Sequence, residues 1–277
     1  MTDSYSHGDI DVLYINENIP GPSEQTLEFE ELIRNFHSQL MHSCKCKDEC
    51  LPDSCECLQI SGGLNYTLLV QQETNSEVFT INKNDHVSSS SYPIIECNEL
   101  CQCSDSCGNR LVQNGPITTL YIKSSQNKLI GLGLFTNTLV PKGSFVCEYA
   151  GEVLTKKQAL FRHHYNEKHK KMNYIFCLNE HVAGKTVQTY IDPSSFGNIG
   201  RYINHSCDPN CGIVPVRVNS PIPKLAVFSL LDIKPDTEIT FHYGSDDMNN
   251  PVPDQKPRKP CLCNTSKCKG FMPYLPC

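Results

Sequence analysis

A chain of 277 residues can bury a sizeable core, as one large domain or as one domain with smaller appendages. Its formal charge of -6 disfavours direct binding to a nucleic-acid backbone, which calls for a basic face, and suits a basic partner. Seventeen cysteines behind a polar start, Met1 to Ile10, with no apolar signal core, point to metal or catalytic use in an intracellular protein rather than to disulfides.

No stretch approaches the roughly 20 apolar residues that span a bilayer, so no membrane partner is expected. Residues 1–40 form an N-terminal segment. Val12 to Ile15 is a short strand-like run, and Pro20-Gly21-Pro22 breaks the chain. Ser23 is a plausible N-cap for a packing helix, with Phe29, Leu32, Ile33, Phe36 and Leu40 at helical spacing.

Residues 41–111 change character. Cys44, Cys46, Cys50, Cys55 and Cys57 form one cluster, and Cys97, Cys101, Cys103 and Cys107 another. The segment has too few apolar residues to fold on a core of its own, so metal must supply the folding energy. Nine sulfurs suit three tetrahedral zinc ions, with six terminal and three bridging thiolates filling the twelve ligand positions. Two four-thiolate sites with a spare cysteine are the alternative. Residues 61–96 read as a loop or hairpin hung from the cluster.

Residues 112–244 read as a globular domain of mostly β architecture, built of small sheets. The runs Ile117 to Ile122, Ser144 to Tyr149, Tyr174 to Leu178, Gln188 to Ile191, Ile213 to Val218, Leu225 to Ser229 and Glu238 to Phe241 are β-branched or aromatic-rich. Thr155 to Lys171 has helical composition. Spacing this irregular does not fit a parallel βαβ fold.

Residues 245–260 are a proline-rich linker, and residues 261–277 end the chain. Cys261, Cys263 and Cys268 are one ligand short of a tetrahedral zinc site. Cys207 is the natural fourth donor, with Cys211 as its rival. The remaining Cys147, Cys177 and Cys277 are expected as buried thiols.

Arg201-Tyr202-Ile203-Asn204-His205-Ser206-Cys207-Asp208-Pro209-Asn210 concentrates polar chemistry in ten positions. Asn204 and His205 can hold a polar ligand in a fixed orientation, and Asp208-Pro209 marks a bend beside them. If the tail shares zinc with Cys207, it folds back over this cluster and helps close a pocket.

Together these residues resemble the SET-domain protein lysine methyltransferases, of the histone H3 lysine 9 subfamily with pre-SET and post-SET zinc modules. The resemblance runs from about Cys44 to Cys268. It rests on the nine-cysteine module, Cys147 to Glu152, Arg201 to Asn210, Glu238 to Gly244 and the C-x-C-x4-C tail.

It implies a fold whose C-terminal segment is threaded through a loop, and a transferase acting on histone H3 with S-adenosyl-L-methionine and four zinc ions per chain. Asn204 and His205 would contact that cofactor, with Arg201 nearby, Gly131-Leu132-Gly133 running along it and Tyr174 beside it. Tyr243 would orient the reacting groups, and Tyr149 would bind the amine. Phe241 would leave room for at least dimethylation. The family usually has Trp where Leu132 stands and Asp where His242 stands.

Lysine 9 is the favoured target. Lysine 36, or a catalytically silent chromatin adaptor, is the alternative. Nucleus and chromosome would be the location and chromatin the partner, with no direct sequence-specific nucleic-acid binding. Zinc loading would make the protein more acidic, because thirteen thiolates outweigh four dications. That charge favours a lysine- and arginine-rich tail.

Overall fold

The computed structural model describes residues 5, 7, 9–47, 49–71, 77–82, 92–182, 184–244 and 259–273. Among them strands predominate, in three four-stranded sheets and two two-stranded ones. In the first sheet, Glu238–Phe241 lies between Asn204–His205 and Leu132–Thr136, and Leu120–Ser124 forms the far edge. The second runs Phe176–Val182, Lys185–Asp192, Glu152–Leu154 and Ile19–Pro20. The third runs Ile94–Ile95, Cys211–Arg217, Lys224–Ser229 and Phe145–Glu148.

All three sheets feed one apolar core. Leu134 and Ile239 of the first, Val153 and Ile191 of the second, and Val146, Leu225 and Val227 of the third pack together around Ile199, Ile203 and Phe241. Burial on both faces explains why Lys224–Ser229 reads as a continuous apolar run rather than an alternating one.

The helix Lys156–Lys168 begins where the sequence places it. Thr155 accepts from the Gln158 amide while the Gln158 side chain returns to the Thr155 backbone, a complete capping box. Arg162 anchors this helix to the second sheet, with Nη1 donating to Glu152 at 2.6 Å and to Asp192 at 2.7 Å.

Several expectations are corrected. The first helix spans Leu27–His37 and its N-cap is Thr26, which accepts from the Phe29 amide; Ser23 is not the cap, and Leu40 lies beyond the end. Thr26 wins because it stands three residues before Phe29, the helix's buried residue. The strand begun at Ile117 starts at Leu120, and Gly131-Leu132-Gly133 leads into the strand Leu132–Thr136.

The N-terminal segment is tied to the sheets: Leu13–Tyr14 pairs in parallel with Phe196–Gly197, and Ile19–Pro20 in parallel with Glu152 and Val153. Parallel pairing leaves no hairpin signal in the local sequence. Residues 61–96 contain the expected hairpin, Tyr66–Val70 against Glu77–Ile81. Most of the 245–260 linker and Cys277 lie outside the described residues.

Candidate active site and metal centres

Two distant motifs meet where Asn204–His205 runs parallel to Thr240 and Phe241. Asn204 Nδ2 donates to the Leu132 carbonyl at 3.0 Å and to Glu238 Oε1 at 2.7 Å. Both amide protons are thereby committed, and Oδ1 remains as the acceptor offered to a ligand. Glu238 in turn accepts from the Ser125 hydroxyl at 2.7 Å.

Gly133 is required by this closeness. A Cβ there would collide with the Glu238 carboxylate and stand 3.1 Å from Asn204 Nδ2. Gly131 has φ +93, the left-handed region that favours glycine. The Gly-x-Gly segment is therefore tied to Asn204 through the Leu132 backbone, so the Leu132 side chain, 43 % exposed, is not part of the tie.

His205 is buried, and its Nδ1 accepts from the Tyr243 amide at 3.2 Å. That assignment puts the proton on Nε2, which lies 3.4 Å from Cys207 Sγ. Burial, then the neighbouring His242 and Lys269, lowers the His205 pKa to about 4 and keeps the ring neutral. His242 stands edge-on to His205 at 4.9 Å, with Nδ1 2.9 Å from the Gly244 carbonyl oxygen. It thus packs at the bend that follows Phe241.

Beside this joint is an aromatic cluster. Phe241 meets Tyr149 at 5.6 Å and Phe176 at 5.8 Å, both edge-to-face, and Tyr243 at 5.0 Å. The Tyr149 hydroxyl donates to the Tyr174 carbonyl at 2.6 Å, and the Tyr243 hydroxyl to the Ile203 carbonyl at 2.8 Å. Each phenol oxygen therefore turns only lone pairs toward anything placed among the rings. Burial is the leading cause that pushes both phenol pKa values up, so both stay neutral.

Arg201 meets the proposed cofactor residues at Tyr174. It is buried, donates to the Pro193 carbonyl and pairs with Asp9, while its guanidinium covers the Tyr174 ring at 4.9 Å. The sequence reading missed Phe176 and the structural part of Glu238. Phe176 lay within an expected strand, but nothing in that run separates it from a core aromatic. Glu238 was legible only as part of its motif.

The nine cysteines of residues 44–107 form a core of their own, in which, among the described residues, Leu58 is the only buried apolar residue besides seven of the thiols; Cys46 and Cys101 pack at its edge. Cys44, Cys50 and Cys97 lie 3.7–3.9 Å apart, and Cys57 lies 3.6 Å from Cys101. Sulfurs about 2.3 Å from a tetrahedral zinc sit about 3.8 Å from one another, so the spacing fits. Cys44 belongs to three candidate four-sulfur groups: with Cys55, Cys57 and Cys97; with Cys46, Cys50 and Cys55; and with Cys50, Cys97 and Cys103. Cys50, Cys55 and Cys97 each belong to two of these groups, the sharing that bridging thiolates require, while Cys101 and Cys107 belong to none.

A separate group joins Cys207 to Cys261, Cys263 and Cys268, with Cys207 and Cys261 3.8 Å apart. Cys207, not Cys211, completes the tail's set; Cys211 is buried in the third sheet, as Cys147 is. Cys177 is likewise a buried thiol.

Comparison with known proteins agrees with this geometry. Family models match residues 131–244 as a SET domain and residues 3–110 as a Pre-SET motif. The chain is 40% identical over 240 residues to the histone-lysine N-methyltransferase SETMAR of Rattus norvegicus, covering 83% of this chain and 72% of that one. The crystal structure of the methyltransferase domain of human SETMAR superposes with a TM-score of 0.75 at 34% identity, covering 99% of this chain and 93% of that chain. The Arabidopsis thaliana SUVH6 structure in complex with SAM superposes with a TM-score of 0.65 at 27% identity, covering 86% of this chain and 48% of that one. With these matches joined to the Asn204–Phe241 joint and the shared-thiolate core, the chain belongs to the SET-domain histone-lysine N-methyltransferases that carry a pre-SET motif.

Proposed function

We propose that this methyltransferase moves methyl groups from S-adenosyl-L-methionine to a lysine of histone H3, with lysine 9 as the target and at least dimethyl-lysine as the product. The observation that carries the reading is the ring cluster of Tyr149, Phe176, Phe241 and Tyr243 beside Asn204 and His205. S-Adenosylmethionine, when bound, supplies a methyl group on a cationic sulfur. Gly131 to Gly133, Asn204 and His205 are the residues that would hold it, with Tyr174 alongside.

The chain's own part is alignment and desolvation. A free lysine has a pKa of about 10.4 and must lose its proton before it can attack. Insertion among four aromatic rings disfavours the charged form, and the facing sulfonium adds to that effect. The Tyr149 oxygen, restricted to accepting, holds one amine N–H and turns the nitrogen lone pair away from itself. Tyr243, similarly restricted by Ile203, presents lone pairs to the electron-poor methyl. The proton leaves to water, and no dedicated base is needed. With the cofactor bound, holding the amine nitrogen in line with its methyl would be the main catalytic contribution of these residues.

Phe241 supports the product reading, since it brings no hydroxyl to the ring cluster. The sulfur spacing and sharing support three zinc ions in residues 44–107 and one at Cys207, Cys261, Cys263 and Cys268. An acidic protein at the nucleosome, in the nucleus, is the setting that fits a basic tail substrate. The resemblance to the lysine 9 subfamily favours that lysine over lysine 36.

Mass spectrometry of recombinant histone H3 incubated with enzyme and S-adenosylmethionine tests the reading. Dimethylation at lysine 9 is expected. Modification confined to lysine 36 would move the target, and bound cofactor with no methylation anywhere would leave only a silent adaptor.

A further inference from the structure

The segment ahead of the zinc cysteines is fastened to the back of the Asn204 motif. Tyr14 pairs with Gly197, and its hydroxyl donates to the Asp9 carbonyl at 3.1 Å. The Tyr202 hydroxyl lies 2.5 Å from that of Tyr14. Asp9 Oδ1 accepts from the Asp11 amide at 3.2 Å, which orients the carboxylate. Its Oδ2 then accepts from Arg201 Nη1 at 3.2 Å. The Arg201 side chain is 5% exposed, and Asp9 is its only carboxylate partner among the described residues.

Arg201 is held at two edges, by Asp9 and, through Nε, by the Pro193 carbonyl at 3.3 Å. Its Cζ lies over the rings of Tyr174 and Tyr202, 4.9 and 5.2 Å from their centroids. A guanidinium stacked on an aromatic face is free to slide unless its edges are pinned. Tyr174 is also the residue whose carbonyl fixes the Tyr149 hydroxyl.

We propose that Asp9 is a positioning residue for cofactor recognition, acting through Arg201 to set the placement of Tyr174. This deepens the methyltransferase reading and rests on it. Asp9 lies far in sequence from the SET-domain match at residues 131–244, within the Pre-SET match at residues 3–110 but outside its cysteine clusters. Its contribution arises because the N-terminal segment joins the catalytic body by parallel pairing.

The test is calorimetric binding of S-adenosylhomocysteine, with steady-state kinetics, on the full chain. Asp9→Asn keeps size and removes charge. It is expected to weaken binding and raise the KM for S-adenosylmethionine about two- to tenfold, while kcat stays within about twofold. Asp9→Glu should recover most of the loss. In an Arg201→Ala background, Asp9→Asn should add nothing, because its effect passes through the missing guanidinium.

Wild-type affinity in Asp9→Asn, or fully additive losses in the double variant, would overturn the proposal. If Arg201→Ala does not fold, the Asn and Glu variants decide alone: equal losses in both, in step with lowered Tm, mean a purely structural contact. A wild-type chain that binds no S-adenosylhomocysteine would instead remove the function reading itself, and this proposal with it.

Discussion

Phe241→Tyr is the most informative single change, because it adds one hydroxyl to the ring cluster and is expected to alter the product. Phe241 is 2% exposed and is bounded by Tyr149, Phe176 and Tyr243 at ring distances of 5.0–5.8 Å. A new hydroxyl there lies among three rings and needs a partner. It finds one in the amine, or in a water held where the next methyl must sit. Each further methylation then removes that hydrogen bond and buries an apolar group against the hydroxyl, at a cost of about 1–3 kcal/mol. The resulting bias is roughly five- to 150-fold per added methyl. Peptide mass spectra over a time course are the assay. The native chain should pass on to dimethyl-lysine and beyond, and Phe241→Tyr should stall at monomethyl. Identical product distributions, with both proteins active, would show that Phe241 does not line the channel and would refute the reasoning. The fold should tolerate the change at a cost of about 1–3 kcal/mol, the usual penalty for overfilling a packed site, so a Tm measurement separates the two effects.

Tyr243→Phe should lower kcat about 100-fold or more while S-adenosylhomocysteine affinity changes only a few fold, since the lost oxygen acts mainly in the transition state; retained turnover would assign that role elsewhere. Elemental analysis should find four zinc ions per folded chain, and two or fewer in active protein would defeat the shared-thiolate cluster. Chelation should unfold the cysteine core, whose buried apolar residues among those described are seven thiols and Leu58, while Tyr66 and Ile94, packed with the third sheet, should hold; circular dichroism would follow the loss. Burial raises the pKa of Tyr149 and Tyr243 above the ordinary value, so both stay neutral below it and their stabilising burial is lost only as pH rises past about 10. The pH–rate profile should accordingly rise as substrate lysine loses its proton and show no falling limb from tyrosinate below about pH 10.

The sequence alone determined those features whose chemistry is local. Cysteine spacing makes metal the expected cement of the sulfur cluster, because its thiols lie a few residues apart in two runs; Tyr66 and Ile94 of the same segment instead join an apolar cluster with the third sheet. Thr155 to Lys171 was legible as helical by composition, although the structure ends the helix at Lys168. Arg201 to Asn210 and Glu238 to Gly244 were each legible as motifs, as was the incompleteness of the C-x-C-x4-C tail. What only the tertiary structure decided are the pairings across long separations. Asn204 meets Glu238, Phe176 turns toward Phe241, and Asp9 reaches Arg201, some 190 residues away, with no periodicity to announce them. A side chain's chemical type is written in the chain, but its partner depends on which strands the shared core draws together. Asp9 read alone is a solvated carboxylate; the parallel pairing of Leu13–Tyr14 with Phe196–Gly197 is what carries it to a buried guanidinium.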